Sequence, residues 1–318
     1  MIIDIHCHTS DHKLWGLHTE SATIEDLEKY ALRHGVKKIV LLATYFPLKK
    51  SGLHNRELLQ RIDDNDLFIA FGSLDMTGDI SAGILELEEL IKGGNISGIK
   101  LYPGYQDFDP GGAKVFPMYE LAESYDLPVM FHGGELHGCC PRSDREKLPL
   151  RCGFDHCRLE DLSHLSLPRA MMPAFEKFPG VKFIVSHLAN PSFEDLRTAM
   201  KEFPNVYTDI SGQFLSGTAE ATDEYRAFIA NEVKKFIALP NGINRIMFGT
   251  DFPIQSYEDS VDLVKRLGLS KTDEEKIFYK NACSVLGLKY DGTRKKYPRN
   301  SRSDNRTYRQ SAGDHQHL

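Results

Sequence analysis

Short apolar bursts alternate with amphipathic stretches along almost the whole chain, and few folds accept that rhythm. MIIDIHC, VKKIVLLAT, LFIAFGSLD, NISGIKLYP, LPVMFHGG, VKFIVSHLA, NVYTDISG and NRIMFGTDFP have the length and branched-residue content of strands. Between them, TIEDLEKYALRHG, HNRELLQRIDDN, SAGILELEELIKGG, KVFPMYELAESYD, PRAMMPAFEKFP, SFEDLRTAMKEFP and DEYRAFIANEVKKFIALP carry apolar residues at helical spacing. In the first of these, Thr23 is placed as an N-cap, Ile24, Leu27 and Ala31 share one face, and Gly35 is placed to end the helix. SYEDSVDLVKRLGL and DEEKIFYKNACSVLGL read as terminal helices.

Near-continuous apolar strands such as IVLLA and VKFIVS suit a parallel sheet covered by helices. Eight strand and helix units over roughly 290 residues match an α/β chain of the (β/α)8 barrel type, the TIM barrel. A doubly wound open sheet is the rival, but it ordinarily brings a Gly-rich nucleotide loop after its first strand. GNISG and GQFLSG lack that strand-turn-helix setting. The expected barrel domain spans residues 1–292. Within it, residues 133–165 have no clear period and read as a long loop or insertion after the fifth strand, over the active site. Residues 293–318 form a polar tail with too little apolar surface to offset its ordering.

A net charge of -6 argues against general nucleic-acid binding, which needs concentrated Lys and Arg. No apolar run approaches the roughly 18 residues a membrane span needs. The opening MIIDIHCHTS has no basic region ahead of an apolar stretch, so a reducing cytoplasm is the expected setting for the six cysteines. The helical exterior leaves room for a homo-oligomer, with no interface stripe separable from core packing.

The chemistry starts at Asp4, His6 and His8. Period-two alternation in a strand would point all three the same way. His132 ends LPVMFH, His187 ends VKFIVSH and Asp251 ends NRIMFGTD. Each alone is explained by a satisfied core polar group or a helix cap. Together they occupy the strand ends from which barrel sites are assembled, and neutral imidazoles with a carboxylate suit zinc while leaving a coordination place open.

Several residues carry two readings. Lys100, near the end of the fourth strand, could bind a substrate carboxylate or run its stem along apolar surface to solvent. Tyr102, Tyr105 and Gln106 follow it and could line the substrate pocket or fill surface equally well. Arg142 and Arg145 could meet an anionic substrate, although pairing with Asp144 and Glu146 is slightly favoured. His137, Cys139, Cys140, Cys152, His156 and Cys157 do not reproduce the paired knuckles of a structural zinc site. Cys7 reads as a small hydrophobe facing the barrel-helix layer, Cys283 is no better a nucleophile, and there is neither a G-x-S-x-G elbow nor a P-loop.

DIHCHT at the first strand, GIKLYPGYQDFDP around the fourth, VMFHGG at the fifth, VSHLAN at the sixth, MFGTDFP at the eighth and NACSVLGL near the end carry a resemblance. Over roughly residues 1 to 290, the chain resembles the amidohydrolase superfamily. More narrowly, it is similar to the amidohydrolase-related (amidohydrolase 2) branch, which holds aminocarboxymuconate-semialdehyde and resorcylate decarboxylases beside lactone hydrolases. The resemblance implies His6, His8 and His132 as metal ligands. It implies Asp251 as a ligand and proton acceptor, and His187 as acid/base and carbonyl-polarising group. In a two-metal member His187 would be a ligand and Lys100, carbamylated, would bridge the ions; one ion is favoured here. Zinc is the expected metal, with manganese and iron also compatible with these ligands. The expected activity is attack of metal-activated water on a small, carboxylated ester, lactone or amide. Non-oxidative decarboxylation of an aromatic or unsaturated acid is the alternative, and a non-catalytic metal-binding protein the second alternative.

Overall fold

The computed structural model describes residues 1–10, 18–19, 21–45, 53–63, 65–137, 158–219 and 221–289. Eight parallel strands follow one another around a single sheet: β1 (Ile2–Cys7), β2 (Val36–Leu42), β3 (Phe68–Gly72), β4 (Ile96–Leu101), β5 (Val129–Phe131), β6 (Phe183–Val185), β7 (Val206–Asp209) and β8 (Ile246–Met247). Backbone bonds join β1 to the segment leaving β8: Ile5 donates to the Phe248 carbonyl at 3.0 Å, Asp251 to that of His6 at 2.8 Å, and His8 to that of Phe252 at 2.9 Å. The sheet therefore closes as the expected (β/α)8 barrel, with helices in the connections.

Side chains alternate between two apolar layers. Ile39 and Leu41 of β2 face outward with Leu27 and Ala31 of α1 (Ile24–Arg33). Val40 and Leu42 face inward with Ile3, Ile5, Ile69, Phe71, Met130, Ile184 and Met247. Each such residue contributes about 1.5–3 kcal/mol by leaving water. The last described helix, Asn281–Leu286, packs Ala282, Cys283 and Val285 onto the same inner cluster. Thr23 caps α1 by accepting from the Asp26 amide, and Gly35 takes the left-handed conformation (φ 71°) just past its end.

Three departures from the sequence reading have physical causes. The stretch at 158–166, expected within a loop, forms the helix Arg158–Leu162 and the turn Ser163–Ser166, burying Leu159, Leu162 and Leu165 at a spacing of three. Arg142, Arg145, Cys139, Cys140, Cys152, His156, Cys157 and the tail at 293–318 lie outside the described residues. The expected final helix is interrupted by a π turn at Lys276–Lys280, which leaves the Ile277 carbonyl to accept from Phe248 at 2.9 Å.

The third departure concerns Asp4, which does not share a face with His6 and His8. The β1 to β2 register shifts between Asp4 and Cys7, so Ile5 stays inward while Asp4 turns to Thr250. Its carboxylate accepts from the Thr250 hydroxyl at 2.6 Å, the Thr250 amide at 3.1 Å and the His6 amide at 3.1 Å. Cys7, on the same outer side, packs in the barrel-helix layer. Among the described residues no helix is long and apolar enough to cross a membrane.

Gly98 of β4 shows how tightly the inner layer is filled, because a Cβ there would overlap the Phe71 ring. Gly98→Ala is expected to cost about 1–3 kcal/mol by overpacking. Gly78→Ala, where a Cβ would meet nothing within 4 Å, should leave the thermal midpoint unchanged. Unfolding scans of the two variants check the contrast.

Candidate metal centre

The side chains with metal-binding chemistry stand at the carboxyl ends of five strands. His6 and His8 leave β1, His132 follows β5, His187 follows β6, Asp209 ends β7 and Asp251 follows β8. Strands β5 to β8 are short because the chain turns into the site as soon as each has paired. After β6, His187, Leu188 and Ala189 all take positive φ (63°, 53° and 52°), and Asp251 does so at 56°. Such values cost energy in residues with a Cβ and persist only where neighbours impose them. Asp209 Oδ1 imposes the first turn by accepting from the His187 amide at 3.0 Å, while Gln213 Nε2 donates to the His187 carbonyl at 2.9 Å.

Two groups of ligand atoms converge. His6 Nε2 lies 3.3 Å from His8 Nε2, and each lies 3.4 Å from Asp251 Oδ1. On the other side of the same imidazole, His6 Nδ1 is 3.2 Å from Asp209 Oδ2, with His187 completing the second group. Two imidazole nitrogens and a carboxylate oxygen this close repel one another through their lone pairs unless a proton or a cation lies between them. That donor set fits a divalent metal ion.

Burial, with Lys100 nearby, pushes His6 down to about 4 despite the Asp209 carboxylate. Burial also holds His132 and His187 well below the usual imidazole value, reinforced by the other histidines and Lys100. These three imidazoles are neutral near pH 7, the state a metal requires. Burial raises Asp209, yet His6, His187 and the Ser211 hydroxyl bring it well below the carboxylate range. It is ionised.

The other sequence candidates take different places. His132 lies outside both groups; its Nε2 is 3.1 Å from the Glu135 carbonyl, and its ring sits 5.1 Å from that of His187. Lys100 is buried on β4, donates to the Ser186 hydroxyl at 3.1 Å and has its pKa lowered by that burial against the pull of Asp209 and Asp251. The Tyr102 hydroxyl donates to the Ala43 carbonyl at 2.7 Å, and the Tyr105 ring stands edge-on to His132 at 4.8 Å. Gln106 is spent on backbone: Oε1 accepts from the Met76 amide at 2.6 Å, and Nε2 donates to the Tyr45 carbonyl at 2.6 Å and the Leu74 carbonyl at 3.1 Å.

Asp209, Ser211 and Gly212 were not singled out from the sequence. Asp209 ends NVYTD as Asp251 ends NRIMFGTD, so the strand-end criterion, applied to the seventh strand, finds it. Ser211 has no such signal, since a serine after a strand is commonplace.

The model of the family described as Amidohydrolase matches residues 3–288. No curated protein sequence matches the chain. Several solved structures share the fold. An amidohydrolase from Burkholderia multivorans, with bound HEPES, superposes with a TM-score of 0.65 at 13% identity, covering 91% of this chain and 100% of that one. A probable 2-pyrone-4,6-dicarboxylic acid hydrolase from Acinetobacter baumannii, with citric acid bound, gives 0.62 at 15% identity, over 90% of this chain and 99% of that one. A dihydroxybenzoic acid decarboxylase from Polaromonas sp. JS666, with manganese and 2-nitroresorcinol bound, gives 0.57 at 17% identity, over 84% and 86%.

Gly212, at φ 63°, lets His187 and Asp251 approach the backbone, because a Cβ there would stand 2.9 Å from both His187 Nδ1 and Asp251 Oδ2. Gly212→Ala is expected to lose about 1–2 kcal/mol to left-handed strain and to weaken retention of an added divalent metal as well. Gly35→Ala, at φ 71° with nothing within 4 Å of its Cβ, should share the strain but keep the metal. Mass-spectrometric metal analysis beside thermal unfolding separates the two effects.

Proposed function

The chain belongs to the amidohydrolase family, and on that premise we propose that it is a metal-dependent hydrolase acting on a small carboxylated ester, lactone or amide. The observation that carries the proposal is the convergence of His6 Nε2, His8 Nε2 and Asp251 Oδ1 within 3.4 Å of one another at the barrel's strand ends. Those three atoms would hold one ion, with His132 brought in by rotation of a ring that now meets the Glu135 carbonyl. The nitrogen-rich set favours zinc, and manganese or iron(II) fits the same ligands. A bound divalent ion supplies positive charge that acidifies water and polarises a carbonyl.

The remaining work falls to the protein. Asp251 accepts the proton of the attacking water and returns it to the leaving group. His187 acts beside it as a second acid/base group, and stabilises developing negative charge only after Nε2 has taken up a proton. Tyr102 and Tyr105 form a wall of the substrate pocket. Lys100, buried on β4, would donate to a substrate carboxylate, whose charge would hold the lysine protonated, and this favours a carboxylated substrate. The same lysine supports a second reading, non-oxidative decarboxylation, in which Lys100 would orient the carboxylate that leaves. A location in the cytoplasm belongs to this proposal.

Turnover of a panel of carboxylated lactones, esters, amides and aromatic acids in oxygen-labelled water separates the chemistries. Label entering the product carboxylate is expected; carbon dioxide release without label would select decarboxylation. Chelation should abolish turnover and added zinc restore it, and a chelator-resistant rate would overturn the metal-dependent reading. Asp251→Asn should lower kcat by about 10²–10⁴-fold, the range of a lost acid/base group.

A further inference from the structure

We propose that Asp209 is a positioning residue for the metal centre and not one of its ligands. Its carboxylate fixes the proton of His6 directly, and that of His187 through Ser211, on the nitrogen turned away from the reacting side. The inference deepens the metal-centre reading and rests on it for its catalytic meaning, although the proton placement stands on hydrogen-bond geometry alone.

Asp209 is fully buried, and both its oxygens are engaged. Oδ2 lies 3.2 Å from His6 Nδ1. Its other oxygen, Oδ1, receives three donors, the pattern of an accepting carboxylate, so Oδ2 accepts too, His6 Nδ1 carries hydrogen and Nε2 carries the lone pair. Nε2 is the atom that meets His8 and Asp251.

Oδ1 accepts from the Ser211 amide at 3.1 Å, from the His187 amide at 3.0 Å and from the Ser211 hydroxyl. The single proton of that hydroxyl is thereby committed. His187 Nδ1 faces the Ser211 hydroxyl oxygen at 2.9 Å and the Ser211 carbonyl at 3.1 Å, so it finds only acceptors and must carry hydrogen itself. One buried carboxylate thus sets two histidines to present Nε2 as a base, as outer carboxylates do for metal-ligating imidazoles.

The competing assignment makes Asp209 a ligand of a second ion with His187. Held by the whole second group, His6, His187 and Asp209, that ion would require the His6 ring to bind one ion on Nδ1 and another on Nε2, since its two nitrogens face the two groups separately. Loss of the Nδ1 proton would then leave His6 an imidazolate, a far less accessible state than the neutral ring beside a carboxylate.

Nitrogen NMR of imidazole-labelled, metal-free protein at neutral pH tests the inference without any turnover. Wild-type His6 and His187 should both appear as Nδ1–H tautomers. Asp209→Asn retains one oxygen, which the three donors at Oδ1 would claim, so its amide would face His6 and drive that ring to the Nε2–H form. Zinc affinity should fall about 10–100-fold, the usual range for an outer-shell partner. Ser211→Ala should leave the His6 tautomer as in wild type.

A wild-type His6 spectrum of the Nε2–H tautomer overturns the proposal. So does an Asp209→Asn protein with unchanged His6 tautomer and zinc affinity, or two zinc ions per wild-type chain falling to one in the variant. If Asp209→Asn fails to fold, the wild-type spectrum and zinc stoichiometry still decide. Should hydrolysis fail while the tautomers hold, the proposed reaction is lost and the positioning role remains.

Discussion

The closure of β1 onto the segment after β8 is the constraint from which the rest follows. Asp251 donates its amide to the His6 carbonyl at 2.8 Å, and His8 donates to the Phe252 carbonyl at 2.9 Å, so the bonds that shut the barrel also set the candidate ligand side chains of both segments against one another. Asp4 reinforces the seam by accepting from Thr250 and from the His6 amide. Barrel and metal centre are therefore one structural problem, because loosening the seam would separate His6 and His8 from Asp251.

The site is held against considerable opposition. Three consecutive left-handed residues, neutral buried imidazoles, a buried lysine and an ionised buried aspartate each carry a cost that a packed barrel must offset. The costs are shared cleverly only in the sense that the same groups meet several of them. The Asp209 carboxylate holds the His187 turn by accepting from the His187 amide and favours the charged form of nearby Lys100, and Gln213 donates to the carbonyl that the turn exposes. Strain of this kind is expected where function, not stability, chooses the backbone.

Most of the architecture was legible in the sequence because each strand is a continuous apolar burst and each helix has a periodic face. Thr23 and Gly35 even mark the limits of α1. Of the site, His6, His8, His187 and Asp251 were visible as polar residues ending apolar strands, and the structure gathers them. Asp4 misled because period two assumes an unbroken register, whereas β1 shifts between Asp4 and Cys7. Gln106 looked like a pocket residue by position, but its amide binds three backbone groups that only the fold brings near it. The role of Ser211 depends on a hydroxyl proton shared across strands, for which a linear sequence carries no mark.

The seam between β1 and the segment after β8 also has a meaning in time. A chain made from its amino end presents His6 and His8 first, yet their partner Asp251 comes more than two hundred residues later. Until then the two histidines lack the carboxylate that the closed barrel sets beside them. The last helix adds to the delay, since Ala282, Cys283 and Val285 complete the inner cluster beneath the strands' apolar interior. The carboxylate that completes the first candidate ligand group is thus joined to it only when the ring of strands has come full circle.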